Sequence, residues 1–300
     1  MGLIVSLFLG FVPMFLFAVF VYWLDRYEKE PKLLLGAAFF WGVIIAGGGA
    51  FIINTVLGIG VYVVTSSDAV TNFATASIIA PIVEETLKGL AVAVVFFMFR
   101  KEFDSVLDGI IYGSMVGLGF SAIENTLYIY RDGYSAGGWG GLLALAFIRV
   151  ILVGWMHAFF TAFTGIGFAI ARLNKNIIIK IFAPIVGIGI AISAHAFHNT
   201  FGSVVGSGGL DSLGLTILAD MLGYSVMIGI IVWVLVHERN VVKRQLAEEV
   251  ASGLISQAQY QKAQSPITLT TAGLSGRATS QFYLLLGELA HKKRATTETW

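Results

Sequence analysis

The sequence predicts an all-α, polytopic bundle of about seven membrane-spanning helices with a short helical cytoplasmic tail, and three observations predict it. Hydrophobic residues make up 57% of the 300-residue chain and charged residues 12%, a balance foreign to water-soluble domains. Apolar runs of the length that crosses a bilayer, about 20 residues, recur from the N-terminus to residue 236. Lys and Arg fall in every second loop between those runs, as the positive-inside bias requires.

The runs lie at 2–24, 33–64, 73–99, 107–130, 142–171, 177–201 and 213–236. The first has no basic leader and is too long for a signal-peptide core, so it reads as a true span. The second is long enough to tilt or to kink near Gly47, Gly48 and Gly49. Arg26, Lys29 and Lys32 follow the first run, Arg100 and Lys101 the third, Arg172, Lys175 and Lys180 the fifth, and Arg239, Lys243 and Arg244 the seventh. The alternate loops, 65–72 and 202–212, have no Lys or Arg, and Arg131 stands alone in the other. The expected orientation is therefore N-terminus outside and C-terminus cytoplasmic, in the cell membrane.

Two units are expected: a transmembrane domain, 1–236, and a helical cytoplasmic tail, 237–300. The tail should form a helix over 239–262, broken by Ser265-Pro266, then a second over 281–293. In the second, Phe282, Leu285, Leu286 and Leu289 share one side, which suits either an amphipathic helix on the inner leaflet or a small helical appendage.

Composition also excludes function classes. A net charge of +1 gives no basic face for nucleic acid. With no cysteine there is no disulfide, thiolate nucleophile or Cys-ligated zinc.

The chemistry lies in the spans. Even lenient scales assign about 2.5 to 3.5 kcal/mol to each charged side chain at a span's centre, so intramembrane charges mark a polar site by default. The third run carries Glu84, Glu85 and Lys88. Glu84 and Lys88 are i,i+4 with the glutamate first, the spacing of a same-face ion pair, which leaves Glu85 about a quarter-turn round. The fourth run offers Phe120 and Glu124 on one face, then Asn125; the fifth Arg149, His157 and Thr161; the sixth His195, His198 and Asn199. At 1.5 Å per residue, Glu84 lies roughly 15 Å below the outer end of its run, Glu124 about 9 Å, His157 roughly 18 Å and His195 about 9 Å, so all fall in the outer half of the bilayer.

Glu84-Glu85-x-x-Lys88, Phe120-x-x-x-Glu124-Asn125, Arg149 followed eight residues later by His157, and His195-x-x-x-Asn199 together resemble the PrsW-type intramembrane proteases, which are similar to the CAAX-processing, bacteriocin-associated membrane proteases. The loop from Asp25 to Pro31 and the run Asp108-Gly-Ile-Ile-Tyr-Gly113 also resemble that family, and the likeness spans about residues 15 to 202. It implies cleavage of a single-span membrane substrate, such as an anti-sigma factor, near its extracytoplasmic side. In the CAAX-type relatives the first glutamate of the pair is the water activator, whereas the spacing here leaves Glu85 freer, so both glutamates stay open as general base. Asn199 and His195 are candidate oxyanion donors. His157 and His195 with Glu84, Glu85 or Glu124 would suit a three-ligand zinc site, yet no His-Glu-x-x-His is present, and the same residues suit a metal-free glutamate mechanism equally.

Structural roles compete for several of these residues. Glu84 and Lys88 could be only a neutralised pair joining helices, Arg149 is expected to snorkel or pair with Glu124, His198 to bond a backbone carbonyl, and Asp220 to join helices. Gly133-Tyr-Ser-Ala-Gly137 fits a nucleophile elbow but has no strand before it, and Leu107-Asp108-Gly109 lacks the partner motif of a site-two-type protease. Gly119-Phe-Ser121 with His195 resembles a rhomboid dyad and leaves the glutamates without a role. A proton- or solute-coupled transporter would use similar residues, although no inverted repeat is evident.

Overall fold

The computed structural model describes residues 1–205 and 210–297. Among them there are helices and no strand. Helix α1 spans Gly2–Leu24, α2 Lys32–Thr65, and α3 runs through Asp68–Ala74, a π turn at Thr75–Ile79, and Ala80–Met98. Helix α4, Val106–Tyr128, continues through a π turn at Ile129–Tyr134 into α5, Ser135–Ala146, which ends in a π turn at Phe147–Leu152. Then come α6, Met156–Leu173, α7, Ile177–Val205, and α8, Leu210–Gln245. The expected external loop at 202–212 lies partly outside the described residues.

The bundle is built around α4, which packs against α1, α2, α3 and α6 and is buried on every side from Val106 to Ala122. Its sequence explains that position. Gly109, Gly113 and Gly117 recur every fourth residue on one face, and a Cβ at each would strike the backbone carbonyl of Gly165, Thr161 and His157 in turn. In a bilayer, where apolar burial cannot drive helix association, such small-residue faces let backbones meet and gain van der Waals contact. The outward faces of the other helices carry exposed Phe, Ile, Leu and Val, such as Phe15, Ile52, Leu222 and Val232, as lipid contact requires.

Among the described residues, five stretches are long and apolar enough to cross a membrane: Gly2–Leu24, Lys32–Thr65, Val106–Leu173, Ile177–Ser203 and Gly214–Ala251. The expected seven counts Val106–Leu173 as two spans and adds Ala80–Met98, whose Glu84, Glu85 and Lys88 are too polar for a composition test. The chain is an integral membrane protein. The expected fifth run, 142–171, is not one helix: the backbone leaves helical geometry at residues 153–155, so Arg149 and His157 sit on separate pieces. The turn that precedes it is made at Gly138, where φ is +60°, a conformation that glycine adopts without penalty. The kink expected near Gly47 appears as a π turn at Gly42–Gly48. Another precedes Pro81, whose ring would clash with a carbonyl four residues back in a regular helix and is relieved by the widened turn.

The tail differs in detail from its sequence reading. Helix α8 passes the 236/237 division without a break, and the helix expected over 239–262 is split into the end of α8, α9 (Ala247–Ala251) and α10 (Gln257–Ala263). After α11, Pro266–Thr271, capped by Ser265, comes α12, Arg277–Thr297. The apolar side of α12 packs inward: Tyr283, Leu286 and Ala290 join Tyr27, Val242, Leu246 and Ile255 in a small second core. Arg26 donates to the Pro266 carbonyl at 2.9 Å and to Thr270 Oγ1 at 2.7 Å, fastening the tail to the loop after α1. That loop is itself ordered by carboxylates. Asp25 accepts the Glu30 amide at 2.7 Å, and Tyr112 Oη donates to Glu30. Burial pushes the Asp25 carboxyl up to about 7 and the Glu30 carboxyl up to about 9.

Candidate active site

A cavity of about 600 Å³ opens among α2, α3, α4, α6 and α7, on the side of the bundle away from the tail. Glu84, Glu124, Asn125, Arg149, His157, His195, His198 and Asn199 all line it, so the helical spacing read from the sequence does converge on one chamber. Glu85 and Lys88 lie behind its wall and are fully buried.

The glutamate pair is arranged oppositely to its sequence reading. Lys88 Nζ donates to Glu85 Oε1 at 2.7 Å and stands 3.7 Å from Glu84 Oε2. Glu85 Oε1 also accepts from His195 Nδ1 at 3.0 Å, and Glu85 Oε2 accepts from Thr161 Oγ1 at 3.0 Å. Both its oxygens are therefore occupied. Glu84 is held by one oxygen, Oε1, which accepts from Asn54 Nδ2 at 3.3 Å, while its buried Oε2 has no hydrogen-bond partner. A Lys can reach acids three and four residues before it, and here Thr161 and His195 draw Glu85 to the Lys88 side.

The histidine tautomers follow from their partners. An ionised carboxylate can only accept, so His157 Nε2–H donates to Glu124 Oε2 at 2.9 Å and leaves Nδ1 to accept from Lys88 Nζ at 2.9 Å. His195 Nδ1–H faces Glu85, which turns the Nε2 lone pair toward Glu84 Oε2, 3.9 Å away. Phe160 stacks on the His195 ring at a centroid distance of 4.8 Å, and the Phe120 ring lies 3.8 Å from the Lys88 ammonium. Arg149 Nη2 pairs with Glu124, and its Nε donates to Asn125 Oδ1 at 3.0 Å. That bond fixes the Asn125 amide with its Nδ2 buried and unpartnered in the cavity wall.

Two expectations change. Asn199 Nδ2 is committed to the Ala76 carbonyl at 2.8 Å, a carbonyl in the π turn of α3. His198 bonds Asp220 at 2.8 Å rather than a backbone carbonyl, tying α7 to α8. Ser121 Oγ is buried without a hydrogen-bond partner, so no dyad forms with His195. Asp108 belongs to a capping box with Ser105 at the start of α4. Asn54 carries no sequence signal beyond being a lone amide in an apolar run.

Glu84, His157 and His195 offer three donor atoms within 4.8 Å of one another. By donor type they would fit zinc: one carboxylate and two imidazoles, with a further carboxylate behind each ring. Lys88 Nζ is the competitor, since it occupies His157 Nδ1.

The model of the PrsW family of intramembrane metalloproteases matches residues 30–236. The chain belongs to the PrsW family. Proteins named Protease PrsW are similar to it: 30% identical over 164 residues in Geobacillus kaustophilus, covering 54% of this chain and 65% of that protein. The Bacillus subtilis protein is 27% identical over 168 residues, covering 56% and 69%, and the Clostridioides difficile protein 29% over 124 residues, covering 41% and 50%. The matched stretch thus spans slightly under two thirds of the Geobacillus PrsW protein. No solved structure matches. All the cavity-lining residues lie inside the PrsW family match, whereas α9 to α12 lie beyond it.

Proposed function

We propose that this PrsW-family chain is an intramembrane endopeptidase that hydrolyses a single-span membrane substrate, anti-sigma-factor-like in topology, in the outer half of the bilayer. The observation that carries the mechanism is the unpartnered Glu84 Oε2, buried in the cavity wall and facing His195 Nε2. Two acceptors 3.9 Å apart can hold both hydrogens of one water and leave its lone pair to attack. Glu84 takes a proton as the water oxygen bonds the scissile carbonyl carbon, then returns it to the departing amine as the C–N bond breaks. Asn125 Nδ2, oriented by Arg149, donates to the developing oxyanion, a contribution on the order of 3 kcal/mol for one such donor. Glu85, Thr161 and Lys88 keep His195 and His157 in the required tautomers.

A second reading has zinc held by Glu84, His157 and His195, favoured by the closeness of the three donors and the carboxylate behind each ring. When bound, the ion supplies Lewis-acid polarisation and a more acidic water. The test co-expresses a single-span substrate and follows its length on a gel. Glu84→Gln should slow cleavage at least ~100-fold without unfolding the protein; cleavage at the wild-type rate would sink the proposal. Cleavage by purified protein that survives chelation, with no ion retained at Glu84, favours the metal-free route; loss on chelation and recovery with Zn2+ favours the other.

A further inference from the structure

A second group of ligand-type residues lies at the opposite end of the molecule, where the tail meets the membrane domain. Glu28 comes from the loop after α1, Asp104 from the loop before α4, and His291 from α12; one donor atom of each lies within 4.8 Å of the others. His291 is 4% exposed, and neither ring nitrogen has an aligned hydrogen-bond partner. Its Nδ1 stands 3.8 Å from Glu28 Oε2 and 3.7 Å from Asp104 Oδ1, too far for hydrogen bonds. Glu28 Oε2 is also buried and unpartnered.

Two donors each about 2.1 Å from a shared ion in a tetrahedral shell are about 3.4 Å apart, close to these separations. The far side of the ring completes the pattern: His291 Nε2 lies 3.2 Å from Glu238 Oε2, which places a carboxylate behind the imidazole, the usual means of turning the other nitrogen's lone pair toward a metal. Glu238 is steadied in turn by Arg294 Nη1 at 3.6 Å. Without a cation, Glu28, Asp104 and Glu238 crowd a buried ring that can hydrogen-bond one of them well at most.

We propose that Glu28, Asp104 and His291 bind a divalent transition-metal ion that clamps α12 onto the loops at the tail end of the bundle. One imidazole with two carboxylates selects an ion of the zinc or manganese type over calcium or magnesium. The three ligands come from segments up to 263 positions apart (28 to 291), so the ion would tie the tail to two loops at once.

The test uses purified full-length protein carrying Glu84→Gln and His195→Gln, which removes the intramembrane donors, with Zn2+ as the probe. After dialysis this background should retain one zinc per chain, and zinc should slow tryptic cleavage in 277–294 at least tenfold. Adding His291→Gln should lower zinc retention at least tenfold and remove the protection. Glu28→Gln, which alters the opposite side of the contact and leaves α12 intact, should do the same, and it decides the matter if His291→Gln loosens the tail even in chelator. Zinc retention that is absent from the background, or unchanged by Glu28→Gln, overturns the site.

Discussion

The two polar clusters differ in how their charge is matched. In the cavity cluster, acids and bases alternate: Lys88 with Glu85, His157 and Arg149 with Glu124, His195 with Glu85. At the tail end, Asp25, Glu28, Glu30, Asp104, Asp108 and Glu238 outnumber the nearby bases, and backbone amides, Ser105, Tyr112 and an imidazole take the remaining contacts. Inside the membrane an unmatched charge is costly, so the acids there are paired with bases; two keep one bare oxygen, Asp220, whose other oxygen meets His198, and Glu84, whose bare Oε2 belongs to the cavity wall and faces His195. At the tail end the excess is borne by other means: burial raises the Asp25 and Glu30 carboxyls toward the neutral acid, and caps and hydroxyls take the remaining contacts.

Breaking each cluster should show the contrast. Lys88→Met strips Glu85 of its counter-charge in a fully buried setting and should destabilise the protein by about 3 to 5 kcal/mol, read as reversible unfolding in detergent; a loss below about 1 kcal/mol would mean the pair is not buried as described. Asn125→Ala should cost about 1 to 3 kcal/mol of stability, through the lost bond to Arg149, and slow cleavage by about 10² to 10³, whereas Asn199→Ala should slow cleavage less, because its amide already serves a backbone carbonyl. Equal losses would return the oxyanion role to Asn199. At the other end, Ser105→Ala removes one cap and should cost about 1 kcal/mol with cleavage unaffected.

The same contrast explains what the sequence discloses. Glu84, Lys88, Glu124, His157 and His195 lie on helices, where a fixed rise and a fixed turn convert spacing into depth and face, so their convergence is legible. Which acid Lys88 prefers is not, because positions three and four before it are both in reach and the choice falls to Thr161 and His195 on other helices. Asn54 is equally hidden, since one amide in an apolar run has no partner until tertiary packing supplies it. The break at 153–155 escapes a hydropathy reading because Val153, Gly154 and Trp155 are apolar too. His291 meets Glu28 and Asp104 through the folding back of the tail, which no local periodicity encodes. Ser105-x-x-Asp108 is a local helix-start pattern that the hydropathy reading passes over, and in the structure it forms a capping box.

The π turns carry a consequence for how this chain can change over time. Each of the four among the described residues, at Gly42–Gly48, Thr75–Ile79, Ile129–Tyr134 and Phe147–Leu152, contributes to the cavity wall, through Gly47, Thr75 and Ala76, Arg131 and Asp132, and Arg149. A π turn is an α-helix with one residue inserted. Because the widened turn absorbs the extra residue, deleting it would restore regular hydrogen bonding and leave the helix beyond on nearly the same face. What such a deletion would take away is the bulge itself, with the groups it pushes into the chamber, among them the Ala76 carbonyl that holds Asn199, so the loss of one residue there should remodel the chamber wall and spare the bundle around it.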